Sequence, residues 1–453
     1  MPVRNSVELL DHGCTELRRA ALDVVEYALD RADPYREAKG LVRLNHELLT
    51  VGDLTYDLSQ RGEIYVLGAG KATLRIAQAL EEILGPRIRH GLIALKRGQA
   101  HSLRYCRVIE AAHPYPDDES YLAARETMRL ARQARRGDII FAAVTGGSSS
   151  LWCYPADGIT LEEKRQVHVL LLHCGADILE INAVRKHLSQ IKGGLLARAA
   201  LPAELVNLTV SDVIDDPLDY IAGPVVPDTS RVADAVHVLE KYELWDQVAP
   251  SVRAHLGTGD QAETPKQLDD RLIHTFVLIP SSAASKAAVV RAKELGFSPL
   301  LLTTAMEGES SEVGTDIGSV IRKIVQTGSP VSSPCAVIAS GENTVSVLDA
   351  EGRGGPSQEL ALSLAVQLEG LPQVVVAALD TDGTDGPTQF AGGLVDSHSS
   401  SRARTLGYDI SHSLRVHDAS SALEAVGDIV YTGATGTNVA DLLVILVGRQ
   451  DCQ

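Results

Sequence analysis

Aromatic residues and basic charge are both scarce in this chain of 453 residues. Phe, Trp and Tyr make up 4% of the sequence, so stacking platforms for nucleobases or sugar rings are not an obvious feature. The 42 Lys and Arg residues are outnumbered by 59 Asp and Glu residues, and the formal net charge is −17. This balance argues against nucleic acid and anionic membranes as general partners. An anionic substrate would therefore need a local basic pocket in an acidic protein.

Long apolar runs and paired cysteines are missing as well. No run approaches the ~18 apolar residues that a membrane span needs, and the chain starts without the apolar core of a signal peptide. The cysteines are scattered and form no Cys-x-x-Cys pair, so neither a disulfide framework nor a zinc site is predicted. They are Cys14, Cys106, Cys153, Cys174, Cys335 and Cys452. We therefore expect a cytoplasmic protein with neither membrane nor nucleic acid as a partner.

What the sequence does contain is an alternation of apolar strands and amphipathic helices. A first series of strands is predicted at 63–67, 91–95, 105–111, 139–144 and 205–210. A second series is predicted at 275–279, 299–303, 335–339, 344–348, 374–379 and 443–447. The rhythm of strand, helix and strand indicates α/β architecture with a parallel sheet and helices on its faces.

The chain is long enough for two or three domains with separate cores. The polar stretch 257–270 is predicted to be a linker. It separates a predicted Rossmann-like domain, 1–256, from a smaller predicted α/β domain, 271–453.

The loop after strand 139–144 carries no bulky side chain. It contains Gly146, Gly147, Ser148 and Ser149, so backbone N–H groups and hydroxyls can approach an anion at the carboxyl end of a parallel strand. The alternative is a tight turn that binds nothing. Because no Gly-x-Ser-x-Gly elbow is present, a serine hydrolase finds little support.

The loop 68–73, Gly-Ala-Gly-Lys-Ala-Thr, is a partial dinucleotide fingerprint. Thr73 stands where a third glycine belongs, and the next strand ends in Lys96 where an acidic residue would hold an NAD ribose. What survives is Lys71 at a strand-to-helix junction, where the helix dipole and the ammonium group both favour an anion. The alternative is a solvated surface lysine.

A cationic pair is predicted near the end of a helix over 178–191. Arg185, Ser189 and Lys192 recur at i, i+4 and i+7 and would share one face beside the apolar stripe. The pattern suits a clamp for carboxylate or phosphate, and the alternative is an ordinary solvated face.

Two histidines are interpreted differently. His168 lies on the preceding apolar helix and is interpreted as a packing residue, whereas a site role for His113 stays open.

Acidic side chains follow other strands. Asp212 comes directly after strand 205–210, and Asp380, Asp382 and Asp385 follow strand 374–379. No Glu occupies the bidentate position of an EF-hand, but carboxylates at strand ends suit Mg²⁺. The alternative is a cluster of Asp-Gly turns. Two further Gly-rich loops are candidates, 352–359 and 432–438.

Taken together these loops resemble the class II glycerate 2-kinases, a two-domain family whose C-terminal part is the MOFRL domain. The matching segments are 68–73, 113–117, 145–149, 182–189 with 192–194, 211–213, 341–342, 352–355 with 358–359, 382–388 and 435–438. They span most of the chain, and their order and number make the resemblance specific.

The resemblance implies phosphorylation of D-glycerate, or a close hydroxy acid, at the 2-hydroxyl by ATP with Mg²⁺, in a cleft between two α/β domains. The family's active-site lysine corresponds to Lys71, and we expect Arg185 and Asp212 beside it as catalytic residues. The expected nucleotide cradle is Gly146, Gly147, Ser148, Ser149, Thr435, Gly436, Thr437 and Asn438. The expected substrate contacts are Lys192, Arg353 and Gln358, and the expected metal ligands are Asp212, Asp382 and Asp385.

The sequence departs from the family pattern at several of these loops. Asp215 replaces a glycine, Ala222 replaces a serine, and Ser340 replaces the first of two glycines. Pro356 replaces an arginine and leaves Arg353 as the nearest candidate for its role. Two alternatives stay open, an NAD(P)H-dependent hydroxypyruvate reductase and a sugar-phosphate-binding protein without catalysis. The position of the phosphate in the product and the number of chains in the assembly, a homodimer included, also stay open.

Overall fold

The computed structural model describes residues 3–99, 101–221, 223–346 and 352–449. Cys452, Ala222 and the end of the strand predicted at 344–348 lie outside these ranges. The chain divides into two compact units. The first unit comprises Pro34–Val210 and Asp216–Leu278, and the second comprises Met1–Asp33, Ser211–Asp215 and Ile279–Gln453.

Helices and strands alternate along the chain. The helices are α1 (Ser6–Leu9), α2 (Thr15–Arg31), α3 (Pro34–Leu41), α4 (Thr73–Leu84), α5 (Asp118–Gln133), α6 (Ser148–Leu151), α7 (Leu161–His173), α8 (Ile178–His187), α9 (Leu195–Ala200), α10 (Leu218–Ile221), α11 (Val232–Lys241), α12 (Pro250–Leu256), α13 (Ala283–Glu294), α14 (Ser310–Thr327), α15 (Pro356–Leu368), α16 (Ser399–Thr405), α17 (Ile410–Arg415) and α18 (Ala419–Ala425). The strands are β1 (Val42–Asn45), β2 (Leu48–Val51), β3 (Leu54–Asp57), β4 (Ile64–Ala69), β5 (Ile88–Lys96), β6 (Arg107–Ala111), β7 (Ile139–Val144), β8 (Glu204–Val210), β9 (Ile273–Ile279), β10 (Ser298–Glu309), β11 (Cys335–Thr344), β12 (Val374–Asp380), β13 (Gly392–Asp396), β14 (Ile429–Val430) and β15 (Asp441–Val447).

The first unit is built on a six-stranded sheet in the order β6-β5-β4-β7-β8-β9. The pairs β6/β5, β5/β4, β4/β7 and β7/β8 are parallel. Every residue of β4, β7 and β8 is buried, as expected for parallel strands covered on both faces. Because parallel strands share one carboxyl edge, the loops that follow β4, β6 and β7 come together there.

A helical layer in the same unit holds its own small core. The first turns of α7 and α8 are closed by capping boxes at Thr160 and Asp177. These two helices pack with α11 and α12 around buried Val167, Leu171 and Val184. The caps and this core fix the polar residues that α7 and α8 carry on their inner sides.

The second unit has a mixed sheet in the order β10-β11-β15-β12-β13-β14. Its β10/β11 pair is parallel, and the remaining pairs are antiparallel. Helix α15 packs on β12 and β13 and buries most of its length in the core. The predicted fold class, two α/β domains of which the first has a parallel Rossmann-like sheet, is confirmed.

The compact units are divided differently from the predicted domains 1–256 and 271–453. Helix α2 belongs to the second unit because its buried stripe packs on α13, β12 and β15. Ser211–Asp215 also belongs there, and the Ser211 N–H donates to Ile279 O at 3.0 Å. The predicted linker 257–270 is part of the first unit, where Thr264 is buried and its hydroxyl donates to Asp228 at 2.7 Å.

No helix among the described residues is long and apolar enough to cross a membrane.

A buried ion network holds the start of the chain to the second unit. Arg18 is fully buried and donates to Leu9 O at 2.7 Å, to Asp396 at 2.7 Å and to Asp428 at 2.6 Å. Arg402 donates to the same Asp428 at 2.7 Å. The network therefore ties α1 and α2 to the C-terminal half of the chain.

Replacing Arg18 by Met should lower the free energy of unfolding by about 3–5 kcal/mol, because two buried carboxylates lose a partner. The control is Arg19→Met, which removes an exposed pair with Glu16 and should change stability by less than about 0.5 kcal/mol. Urea unfolding at neutral pH, followed by circular dichroism, measures both. Equal effects of the two substitutions would contradict the role given to Arg18.

Candidate active site

The loops after β4 and β7 are bonded to each other. Lys71 N donates to Gly146 O at 2.8 Å, and Ala72 N donates to the Thr145 hydroxyl at 3.2 Å. A Cβ added at Gly70 would lie 2.0 Å from Thr145 Oγ1, so only glycine fits this approach. The N–H groups at the start of α4, where dinucleotide-binding proteins hold a pyrophosphate, are thus occupied by the neighbouring loop. If this loop binds a ligand, the Lys71 side chain is therefore the group that would contact it.

Lys71 and His113 flank the same glycine. A Cβ added at Gly147, whose φ is +85°, would lie 3.2 Å from Lys71 Cγ and 3.3 Å from His113 Nε2. The loops after β4, β6 and β7 therefore meet at Gly147, and a side chain there would displace the lysine or the histidine. This meeting point supports the site role that the sequence left open for His113.

Lys192 connects the loop after β7 to the helical layer. Its Nζ donates to Ser149 Oγ at 2.7 Å, and the residue is 6% exposed. The predicted helical spacing is wrong, because α8 ends at His187 and Lys192 follows in a turn held by the Ser189 hydroxyl. Arg185 and Lys192 nevertheless line one pocket together with Ser149.

This pocket, here called the cationic pocket, contains two further groups that sequence reasoning did not assign to the site. Lys164 is 8% exposed, and its Nζ donates to Leu188 O at 2.5 Å. His168 also lines the pocket, and its Nδ1 is buried without a hydrogen bond to any described residue. The interpretation of His168 as a packing residue stays a prediction, and its ring is part of the pocket wall. A sequence signal for Lys164 existed, since it shares the buried stripe of α7 with Val167 and Leu171.

The positive groups of the cationic pocket lack a counter-charge. Within the described ranges no carboxylate forms an ion pair with Lys164, Arg185 or Lys192. Burial lowers the pKa of Lys164 to about 8, and the Arg185 charge adds to the lowering. Burial, then the charges of Arg185 and Lys164, lower the pKa of Lys192 well below its ordinary value. Burial and the three cations lower the pKa of His168 to about 4. An anion in the pocket would relieve this repulsion.

In the second unit the structure brings several predicted residues into contact. The Asn438 amide donates to Asp212 at 2.5 Å. Thr435 N donates to Asp382 O at 3.1 Å, and the Thr435 hydroxyl donates to Thr381 O at 2.5 Å. The loop 435–438 is therefore fastened to the acidic loop 380–385, and Asp212 is held against its end.

Asp385 accepts hydrogen bonds from the N–H groups at the start of α15. Its carboxylate accepts from Ser357 N at 3.1 Å and from Gln358 N at 2.7 Å. Burial raises the pKa of Asp385 to about 7, against the effect of these hydrogen bonds. Within the described residues the oxygens of Asp212, Asp382 and Asp385 do not form a group of three within 4.8 Å of one another. The three predicted ligands are thus not gathered around one point, and the Asp385 carboxylate is hydrogen-bonded at the helix N-terminus.

The two predicted substrate contacts near α15 are also engaged. The buried Gln358 amide donates to Asp385 at 3.0 Å, and its oxygen accepts from Ser420 at 2.5 Å. The exposed guanidinium of Arg353 pairs with Glu424. These contacts give Gln358 a packing role and offer no support for substrate binding by either side chain.

Asp441 is a buried carboxylate that sequence reasoning missed. It begins β15 opposite Asp380 of β12 and Gly341 of β11. Burial, with the charges of Asp380, Asp385 and Glu342, raises the pKa of Asp441 well above its ordinary value. The strand ends of the second unit thus hold an excess of negative charge. The available sequence signal was an aspartate two residues before the predicted strand 443–447.

Comparison with known proteins gives matches along most of the chain. A family described as a domain of unknown function, DUF4147, matches residues 20–257, and the MOFRL family matches residues 335–441. A glycerate 2-kinase of Pyrococcus horikoshii is 38% identical over 95% of this chain and 98% of its own length. A D-glycerate 2-kinase of Thermotoga maritima is 37% identical over the same shares.

Two further comparisons bear on the activity. A protein of Agrobacterium vitis, provisionally named a hydroxypyruvate reductase, is 41% identical over 86% of this chain and 88% of its own length. The crystal structure of a glycerate kinase from Thermotoga maritima matches with a TM-score of 0.82 and 35% identity, over 95% of this chain and 99% of that one. The chain therefore belongs to the class II glycerate 2-kinase family, with a MOFRL domain in its C-terminal part.

Proposed function

We propose that this chain is a kinase that transfers a phosphoryl group from ATP to the 2-hydroxyl of D-glycerate. The observation that carries the proposal is the cationic pocket, whose buried Lys164 and Lys192 and half-buried Arg185 have no carboxylate partner among the described residues. A substrate carboxylate would supply the missing charge and accept their hydrogen bonds. The relatives named glycerate 2-kinase support this choice of anion.

Phosphoryl transfer depends on positioning and charge neutralisation. The 2-hydroxyl oxygen attacks the γ-phosphorus of ATP, the bond from that phosphorus to the bridging oxygen breaks, and the hydroxyl proton leaves to a base. We assign carboxylate binding to Arg185 and Lys192, and stabilisation of the transferring group to Lys71. Asp212 is our candidate for the base. The cradle proposed for ATP consists of 146–149 and 435–438.

Mg²⁺ is part of the proposal. It binds proteins through one or two carboxylates and completes its shell with water and phosphate oxygens, so Asp212 and Asp382 suffice without Asp385. When bound, the ion would neutralise charge on the phosphates of ATP.

Three further predictions remain predictions: the cleft between domains, the cytoplasmic location and a homodimeric assembly.

The alternative function is NAD(P)H-dependent reduction of hydroxypyruvate. Two relatives in Agrobacterium vitis are named as hydroxypyruvate reductases. The bonds from Lys71 N and Ala72 N to the neighbouring loop disfavour it, because they occupy the N–H groups that would hold a dinucleotide pyrophosphate. The third candidate function is binding of a sugar phosphate without catalysis.

One assay separates these readings. With D-glycerate and ATP we expect ADP release and 2-phosphoglycerate, and with hydroxypyruvate and NADH or NADPH we expect no oxidation. Lys71→Met should lower kcat by about 10²–10³, the usual cost of removing a group that stabilises transition-state charge, with an unchanged melting temperature. Hydroxypyruvate reduction, or near-normal turnover by the variant, would refute the corresponding assignment.

Lys192→Met should weaken D-glycerate binding by about 10–150-fold, the value of a hydrogen bond to a charged group. The melting temperature without ligand should stay equal or rise, because an unpaired buried charge is removed. The control is Lys186→Met on the same stretch of chain, where Lys186 pairs with Asp219 at 2.6 Å and Asp228 at 3.0 Å. This control should lower the melting temperature and leave D-glycerate affinity near that of the wild type. Parallel changes in both variants would argue against the pocket.

The activity should also fall at alkaline pH. Lys164 attracts a carboxylate only while protonated, and its pKa is lowered to about 8. As the pH rises through this value the proton is lost, so kcat/KM for D-glycerate should fall with a limiting slope of about one in logarithmic units. Lys164→Arg stays charged and should move the fall to higher pH. A profile identical in the two proteins would assign the titration to another group.

A further inference from the structure

Three side chains with metal-binding atoms converge in the second unit, apart from the residues discussed so far. They are Glu309 at the end of β10, Glu359 in the first turn of α15, and His417 between α17 and α18. Each offers one ligand atom, and the three atoms lie within 4.8 Å of one another. No other group of three His, Cys, Asp or Glu ligands meets this condition in the part of the chain that the structure describes.

A second observation at the same place indicates a ligand. Glu359 is 2% exposed, and its Oε1 is buried without a hydrogen bond to any described residue. Its Oε2 contacts His417 Nδ1 at 3.0 Å. A buried carboxylate oxygen without a partner is costly, and a cation between the three side chains would satisfy it.

The three groups are held in place by their own surroundings. Glu309 accepts from Ser346 N at 3.0 Å. His417 adopts a left-handed conformation, with φ +55°, and a Cβ on the adjoining Gly352 would lie 2.0 Å from Val416 O. Close backbone packing therefore fixes the turn that presents the imidazole. Such positioning reduces the ordering that a bound ion would have to impose.

We propose that Glu309, Glu359 and His417 bind a divalent transition-metal ion, with Zn²⁺ as the preferred ion. One imidazole and two carboxylates are ligands that Zn²⁺ accepts, and three protein ligands leave a fourth position for water. Mg²⁺ prefers oxygen ligands in octahedral geometry, whereas imidazole favours later transition metals. The site is therefore distinct from the Mg²⁺ proposed for ATP.

Metal binding would tie three separate segments together. The end of β10, the first turn of α15 and the turn after α17 would share one ion, beside the helix start that Asp385 holds. Because the ion would bind the folded chain through residues far apart in sequence, it should stabilise the second unit by mass action. This inference goes beyond the proposed kinase activity and does not depend on it.

The test uses the full chain, freed of metal with a chelator and kept without nucleotide. Zn²⁺ binding is measured by calorimetry and by the shift in melting temperature, and Co²⁺ serves as a spectroscopic probe. We expect one site that millimolar Mg²⁺ does not block. Glu359→Gln and His417→Asn should each weaken this site by about 100-fold or more, since even groups that only orient a ligand cost 10–100-fold. Asparagine is chosen because it tolerates the left-handed conformation.

Two further variants keep the result decisive. Glu309→Gln alters a ligand that is not buried as Glu359 is, so it should remove the site even if a substitution at Glu359 impairs folding. Glu312→Gln changes an exposed glutamate in the first turn of α14 and should bind Zn²⁺ as the wild type does. The proposal is overturned if the wild type binds no Zn²⁺ at millimolar concentration. It is equally overturned if Glu359→Gln and Glu309→Gln retain the same site and the same Co²⁺ spectrum.

Discussion

Unpaired positive charge inside the first unit is the constraint around which the cationic pocket is organised. Lys164 and Arg185 come from two helices, and Lys192 comes from the turn after the second one. Their ammonium and guanidinium groups repel one another in a buried place, which is costly unless an anion is present. The capped helices and their apolar core hold the three groups together against this repulsion. Such tension between stability and binding is expected where a site is built for a charged ligand.

In the same unit, the parallel sheet keeps the position of a dinucleotide-binding loop, but the backbone of that loop is not available for a dinucleotide. The loop after β4 keeps the position of a dinucleotide loop, but its backbone N–H groups bond to the loop after β7. Thr73, which replaces the third glycine, is fully buried and donates to Ala143 O at 3.0 Å. The residue that breaks the fingerprint thus helps to fasten the two loops together. In the function we propose, side chains of lysine, arginine and serine recognise the anion in place of these backbone N–H groups.

The strands and most strand-end loops could be predicted because buried parallel strands are continuous apolar runs. The site was predicted less completely, for physical reasons that differ by residue. Lys192 was found through a helical spacing that the structure does not have, since α8 ends at His187. Lys164 was missed because a helical lysine is ordinarily solvated. Asp385, which the sequence predicted to be a metal ligand, accepts from Gln358 N at the start of α15, a partner 27 residues away in sequence.

Domain limits were the least predictable part of the fold. Helix α2 opens the chain, yet its apolar stripe packs on the second sheet and its Arg18 pairs with Asp396, 378 residues later. The sequence of α2 specifies an amphipathic helix but carries no mark of which sheet will cover it. The polar composition of 257–270 was equally ambiguous, because its polar residues serve buried partners such as Asp228.

The first unit holds an excess of buried positive charge and the second an excess of negative charge. The ligands of the proposed reaction would compensate each excess. The first unit buries cations without carboxylates, and burial lowers the pKa of Lys192 well below its ordinary value. The second unit gathers carboxylates at its strand ends, where burial, together with the charges of Asp380, Asp385 and Glu342, raises the pKa of Asp441 well above its ordinary value. An anion bound in the cationic pocket would relieve the excess positive charge of the first unit, and a cation bound at the strand ends would relieve the excess negative charge of the second.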